Sequence, residues 1–178
     1  MKNEYLFKSE RLGFRNWKES DVKKLHKINS DEDIMEFFPS IPNLTQTNEF
    51  VEKMKIMYTE NGYCYFSVDH LESQNFIGFI GIAIQNYESV VTPCTDIGWR
   101  LDKQYWNKGY ATEGALRCLE YAFNDLKLKK IKSIAPEINL KSIEVMKKIG
   151  MKKITEFKHP LLKDYTRLEK CVCYEIDK

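Results

Sequence analysis

Between residues 106 and 112 the chain reads Trp106-Asn107-Lys108-Gly109-Tyr110-Ala111-Thr112, a sharp turn set between an extended stretch and a helical one. A helix that begins so abruptly leaves its first main-chain amides unpaired. It also presents about half a positive charge at its N-terminus, and both features suit a phosphate. Gly109 admits a close oxygen, and Lys108 adds a point charge. The same residues also read as an ordinary turn before a helix. Two stricter phosphate signatures are absent: the segment lacks the second glycine and the Lys-Ser/Thr ending of a P-loop, and the chain has no G-x-G-x-x-G.

The elements that would position this turn follow from periodicity. Leu12 to Trp17 reads as a strand, after which Ser20 supplies a helix N-cap and Val22, Leu25 and Ile28 fall at helical spacing. A helical turn from Asp31 to Phe37 ends at Pro39. A second helix, from about Thr47 to Tyr58, carries Phe50, Met54 and Met57 on one stripe and closes at Asn61-Gly62. Strands follow over Tyr63 to Asp69, Phe76 to Ile84 and Asp96 to Leu101, the second apolar on both faces and therefore expected in the middle of a sheet. Its Gly78 and Gly81 point to a bulge or a close backbone approach. Ala115, Leu116, Leu119, Ala122 and Phe123 form one stripe of the helix after the turn. Ile131 to Ile138 is a strand, Leu140 to Ile149 a helix ending at Gly150, and Lys153 to Lys158 and Leu168 to Ile176 are the last strands. The expectation is one α/β (α+β) domain over residues 1–178: a mixed sheet with helices on both faces, neither a Rossmann repeat nor a sandwich.

Composition narrows the function. The 178 residues are 43% hydrophobic and 30% charged, ordinary values for a globular domain, and the net charge of +2 is too balanced for a protein that coats nucleic acid. No apolar run approaches the ~20 residues of a membrane span, and Met1 to Arg11 lacks a signal-peptide core, so a cytoplasmic protein is expected. Cys64, Cys94, Cys118, Cys171 and Cys173 form no C-x-x-C and are odd in number, which fits reduced thiols. His26, His70 and His159 are scattered without metal-ligand spacing, so no metal is expected.

The stretch Asp96-Ile97-Gly98-Trp99-Arg100-Leu101, followed by Tyr105 to Glu113, resembles the acyl-CoA-binding motif of the GNAT N-acetyltransferases, and within them the Rim-type (RimJ/RimL-like) branch. Asn139 to Met151 is similar to the second half of that signature, with weaker echoes at Glu10-Arg11-Leu12, Arg15-Asn16-Trp17, Phe37-Phe38-Pro39, Phe76 to Gly81 and His159-Pro160. The resemblance implies a mostly antiparallel central sheet and an enzyme that moves an acetyl group from acetyl-CoA to a primary amine, a protein N-terminus or a small molecule, in a ternary complex. It implies that Trp106, Asn107, Lys108, Gly109, Tyr110, Ala111 and Thr112 hold the pyrophosphate, that Trp99, Arg100 and Leu101 pair with the pantetheine arm, and that Asn139 contacts the cofactor through its side chain. Homodimers are common in the family.

Departures from the family pattern bear on the chemistry. Trp106 and Asn107 replace the usual loop residues, although Asn tolerates positive φ. The family's proton-donating Tyr, seven residues after the Asn, is Met146 here, which has no proton to give. Ser142, a water, or an unaided thiolate departure takes its place. Asp96 stands where the branch commonly carries Glu and is the expected general base, working through a water because Asp is one methylene shorter; it also reads as a strand-end acid paired with Lys or Arg. Glu113 lies in the first helical turn and favours the dipole. His159 and the aromatics Phe37, Phe38, Tyr63 and Tyr65 are weaker acceptor-side candidates, and the lysine runs 127–132 and 141–153 are solvated faces from which some side chains reach the 3′-phosphate of CoA. The alternative to an enzyme is a catalytically weak acyl-CoA-binding sensor or scaffold.

Overall fold

A computed structural model describes residues 5–178. Eight strands form one sheet in the order β1-β2-β3-β4-β5-β6-β8-β7: β1 Phe7–Lys8, β2 Leu12–Arg15, β3 Tyr65–His70, β4 Asn75–Gln85, β5 Cys94–Leu101, β6 Lys130–Pro136, β7 Lys152–Lys158 and β8 Lys170–Asp177. Every neighbouring pair is antiparallel except β5 with β6, which is parallel. The helices are α1 Glu19–Asn29, α2 Glu32–Met35, α3 Leu44–Asn61, α4 Tyr110–Glu120 and α5 Leu140–Lys148; α4 runs on into a π-helical turn, Tyr121–Asp125. Among the described residues, no helix is long and apolar enough to cross a membrane.

β4 lies inside the sheet, as its two apolar faces require, and consecutive residues show what covers it. Phe79 meets Phe50 of α3 at 5.2 Å between ring centroids. Ile80, on the opposite face, sits where a Cβ on Gly114 of α4 would be only 2.3 Å away. The expected close backbone approaches in β4 are present. A Cβ on Gly81 would lie 2.2 Å from the Cys64 carbonyl oxygen, one on Gly78 2.1 Å from that of Arg100, and the register slips opposite Gly78, between Val68 and Asp69.

Three local expectations shift. The first helix starts at Glu19, with Lys18 rather than Ser20 at the N-cap, because the Asp21 carboxylate accepts from the Lys18 amide at 2.8 Å. The second long helix starts at Leu44, earlier than expected, because Asn43 and Gln46 accept from each other's amides at 2.9 Å. A short edge strand, β1, precedes the first expected one. It has too few residues to show a period.

Asp21 also belongs to a buried charge cluster that ties β2, β3 and α1 together. Arg15 donates from Nη1 and Nη2 to Asp21 at 2.6 and 3.0 Å, and from Nε and Nη2 to Asp69 at 2.6 and 2.8 Å. Removing the guanidinium strands two carboxylates without water. Arg15→Met is therefore expected to lower unfolding free energy by about 3–5 kcal/mol, read as a fall in the urea midpoint. An unchanged midpoint would show that the cluster holds nothing together.

Candidate active site

β5 and β6 pair at Asp96 opposite Lys132 and at no later residue. Just beyond, Ser133 Oγ donates to the Ile97 carbonyl at 3.0 Å, so a side chain takes the acceptor that the next ladder bond would have used. The strands then part. Main-chain groups along a strand point alternately to either side. Ile97 faces β6 through its carbonyl, while Asp102, five residues on, faces β4 through its amide, 2.9 Å from the Ile77 carbonyl. By that alternation the amide and carbonyl of Trp99 and the amide of Leu101 face the gap. The Leu101 carbonyl is occupied by Trp106 Nε1 at 2.9 Å.

The gap widens into a cleft of about 540 Å³. Of the expected site residues, Trp99, Arg100, Leu101, Trp106, Asn107, Gly109, Tyr110, Ala111, Thr112, Asn139 and Ser142 line it, together with Lys141 and Lys148 from the second lysine run. Lys108 and Asp96 do not. Lys108 is exposed and contributes its carbonyl, which accepts from Arg11 Nη1 at 3.2 Å. Asp96 lies on the same strand where the gap begins.

The turn before α4 has the conformation its residues suggested. Asn107 and Gly109 take positive φ, 59° and 81°, and the first helical amide to find a main-chain acceptor is that of Glu113, on the Gly109 carbonyl at 2.9 Å. The amides ahead of it open toward the cleft. Glu113 does more than complement the dipole. It accepts from Ser9 Oγ at 2.7 Å, the Arg11 amide at 2.8 Å and Arg11 Nε at 2.6 Å, while the Arg11 guanidinium stacks 4.3 Å over the Tyr110 ring. Burial raises the Glu113 pKa, but these hydrogen bonds outweigh it and hold the carboxyl below its ordinary value. Arg11 is thus a clamp on the turn. Its only signal in the sequence is the Glu10-Arg11-Leu12 echo.

Across the gap, Asn139 caps α5, its Oδ1 accepting from the Ser142 amide at 3.1 Å, which leaves the Nδ2 hydrogens for a ligand. Ser142 is half-buried beside it. Met146, at the position of the family's Tyr, is 1% exposed in the core and faces away from the cleft lining.

Asp96 is 8% exposed, and two donors converge on one oxygen: Tyr65 Oη at 2.6 Å and Gln85 Nε2 at 3.0 Å both reach Oδ1. No Lys or Arg pairs with it among the described residues. Burial pushes its pKa up to about 6, against the lowering effect of Tyr65 and Gln85. Tyr65, an acceptor-side candidate in the sequence, and Gln85, which no motif marks, are brought to Asp96 by strand register, not by spacing. Tyr87, its ring 4.6 Å from and tilted 34° to that of His159, stands nearby, its phenol pushed up by burial and then by the Asp96 charge. His159 caps a turn, accepting from the Leu161 amide at 3.2 Å, and its pKa is lowered by burial. The thiols suit no nucleophile: Cys94 is raised to about 11, first by burial and then by Asp96, and Cys171 and Cys173 to about 12 by burial.

The donor set fits acetyl-CoA. Unpaired amides and two lysines at one end suit phosphates, and an unpaired strand edge suits the amides of a pantetheine arm. Comparison with known proteins agrees. Residues 11–152 match the family description "Acetyltransferase (GNAT) domain". The chain is 31% identical over 151 residues to the uncharacterized N-acetyltransferase YnaD of Bacillus subtilis (strain 168), covering 84% of each chain. The crystal structure of a GNAT-family acetyltransferase from Bacillus anthracis superposes with a TM-score of 0.79 at 29% identity, over 96% of both chains. RimL, a ribosomal L7/L12 alpha-N-protein acetyltransferase in complex with coenzyme A, shares the fold at 16% identity, with a TM-score of 0.75 over 95% of both chains.

The raised pKa of Asp96 has a cost in stability. The carboxyl is neutral in both folded and unfolded chains below its ordinary value near 3.8, whereas above about 6 it must ionise inside the fold. The penalty therefore appears as pH rises from about 4 to 6 and is about 3 kcal/mol when complete. Asp96→Asn keeps both hydrogen-bond acceptances without the charge. It is expected to unfold at a higher urea concentration than the parent at pH 7 and at the same concentration near pH 4; equal midpoints at both would show that Asp96 is not desolvated. The chain belongs to the GNAT acetyltransferase family.

Proposed function

We propose that this protein is a Rim-type, cytoplasmic N-acetyltransferase whose acceptor is a primary amine, on a protein N-terminus or a small molecule, attacking in a ternary complex. The observation that carries the reading is the buried Asp96 carboxyl, held by Tyr65 and Gln85 at the vertex of the β5–β6 opening. The RimL fold and the paired motifs support the branch.

Acetyl-CoA supplies the acetyl group as a thioester, already activated, so no covalent nucleophile is required of the chain. An alkylammonium acceptor with a pKa near 10 must lose a proton before it can attack. With its own pKa near 6, Asp96 is ionised at pH 7 and takes that proton, directly or through a water. Both side-chain donors fall on Oδ1, so neither occupies Oδ2. The Trp99 amide, unpaired at the gap, offers a donor to the oxygen on which negative charge develops. The amides of residues 107–112 and the ammonium groups of Lys141 and Lys148 bind phosphates, Asn139 Nδ2 donates to the cofactor, and the edge that Trp99 and Leu101 open on either side of Arg100 pairs with its amide-bearing arm. Ser142 holds the proton for the departing thiolate.

Two measurements test this reading. Coenzyme A release is followed over a panel of amines: acceptor-dependent turnover is expected, whereas a sensor would bind acetyl-CoA without it. Asp96→Asn is then compared with the parent. Turnover is expected to fall by about 10²- to 10⁴-fold, with acetyl-CoA affinity little changed, and the parent's turnover should rise as pH passes through about 6. Full activity in Asp96→Asn would remove Asp96 from the mechanism.

A further inference from the structure

Arg100 is out of keeping with the other arginines of the chain. There are five, and each of the other four is within ion-pair distance of a carboxylate: Arg11 with Glu113, Arg15 with Asp21 and Asp69, Arg117 with Glu120 and Arg167 with Glu36. Arg100 has no carboxylate partner among the described residues. Its Nη1 donates to a neutral acceptor, Asn29 Oδ1, at 2.9 Å, and its Nε is buried without a partner. The guanidinium lies over two aromatic rings, 4.1 Å from the centroid of Phe38 and 5.3 Å from that of Phe79. Burial lowers its pKa to about 10, so the group stays cationic at neutral pH, desolvated and uncompensated. A buried charge kept without its counter-charge is costly, and the cost is relieved when an anion enters.

The position says which anion. Arg100 lines the cleft, and period-two alternation puts its side chain on the same face of β5 as Asp96, the face of Phe79 and Tyr65. The phosphate-binding amides belong to the turn before α4, which packs on the opposite face of the sheet. The wall around Arg100 on its own side comes from α2 and the segment after it, through Ile34, Phe37 and Phe38. This is an apolar wall with one unpaired cation. Asp33 and Glu144, the carboxylates of the cleft lining, are already paired with Lys103 and Lys147.

We propose that Arg100 selects the acceptor by pairing with a carboxylate that lies beside the amine to be acetylated, so that the acceptor is an amino acid or a peptide N-terminus with an acidic first residue, not a plain polyamine. Asp96 and Arg100 are four residues apart on one strand, about 13 Å between their main chains, with their side chains on the same face of it. An acceptor that carries a carboxylate near its amine would present one group to each. Planar, bidentate recognition of a carboxylate is what a guanidinium fork is shaped for, and that of Arg100 has one side-chain hydrogen bond, to Asn29. The proposal rests on the acetyltransferase reading above and adds the acceptor class to it.

The test compares matched pairs of acceptors at saturating acetyl-CoA. Free amino acids are set against their carboxamides, and short peptides beginning with Asp or Glu against those beginning with Asn or Gln. The parent is expected to prefer the carboxylate member of at least one set by about tenfold or more in kcat/KM, and the set in which it does so tells a free amino acid from an acidic N-terminus. In Arg100→Met, which keeps a side chain over the rings, that ratio should fall to near one. Asn29→Asp offers a second variant with Arg100 intact: a carboxylate built onto its partner should compete with the acceptor's and shrink the ratio in the same direction. Amide twins or spermidine turned over as well as the acids would overturn the proposal alone. So would an Arg100→Met protein whose acetyl-CoA affinity drops while the ratio persists, since Arg100 would then serve the cofactor. No turnover of any amine by a protein that binds acetyl-CoA would overturn the acetyltransferase reading, and this proposal with it.

Discussion

The site depends on how briefly β5 and β6 stay together. Each is firmly held on its other side, β5 by eight residue pairs to β4 and β6 by seven to β8, yet between themselves they share one pair, Asp96 with Lys132. Antiparallel neighbours on both flanks carry the two parallel strands along diverging paths. Ser133 marks the point of departure by giving its hydroxyl, in place of a main-chain amide, to the Ile97 carbonyl. A sheet interior thereby gains an edge. The unpaired polar groups that would be a liability on an outer strand are enclosed in a cleft, where a ligand rich in amides can take them up.

Position along β5 then sorts the chemistry. At the vertex the strands are still close, and Asp96 is buried with its ionisation delayed to about 6. Farther along, where they have separated, Trp99 and Leu101 present main-chain groups to the gap. On the face shared with Asp96, Arg100 keeps a cation without a counter-ion. The opposite face of the sheet carries α4, and the turn before it is fixed from outside the cleft by Ser9 and Arg11 through Glu113. The buried carboxyl, the open main-chain edge and the unpaired cation are thus separated by strand register alone.

Much of this was readable from the chain because the elements involved have strong periods or strong turn chemistry. β4, apolar on both faces, declared itself central, and the turn at Asn107 and Gly109 announced its positive φ. The residues around the turn and at Asn139 do converge on one cleft. Helix starts were less readable. Lys18 is no usual N-cap, and only the three-dimensional ties of Asp21 explain it. Tyr65 and Gln85 meet Asp96 through strand pairing across distances of 31 and 11 residues, Ser133 reaches Ile97 across 36, and Arg11 reaches Glu113 across 102. Such contacts leave no local pattern. Lys108 shows a further tie without a local pattern: its carbonyl accepts from Arg11 across 97 residues, while its ammonium lies 5.9 Å over the Tyr105 ring.

The most direct test is amide hydrogen exchange, read residue by residue by NMR on the full chain with and without acetyl-CoA. The Trp99 and Leu101 amides, unpaired in the free protein, are expected to exchange fast and to become strongly protected when acetyl-CoA is bound, while Gly98 and Arg100, which face β4, are protected in both states. Saturating acetyl-CoA that leaves Trp99 and Leu101 exchanging as fast as before would contradict the assignment of the β5–β6 opening as the acyl-donor site.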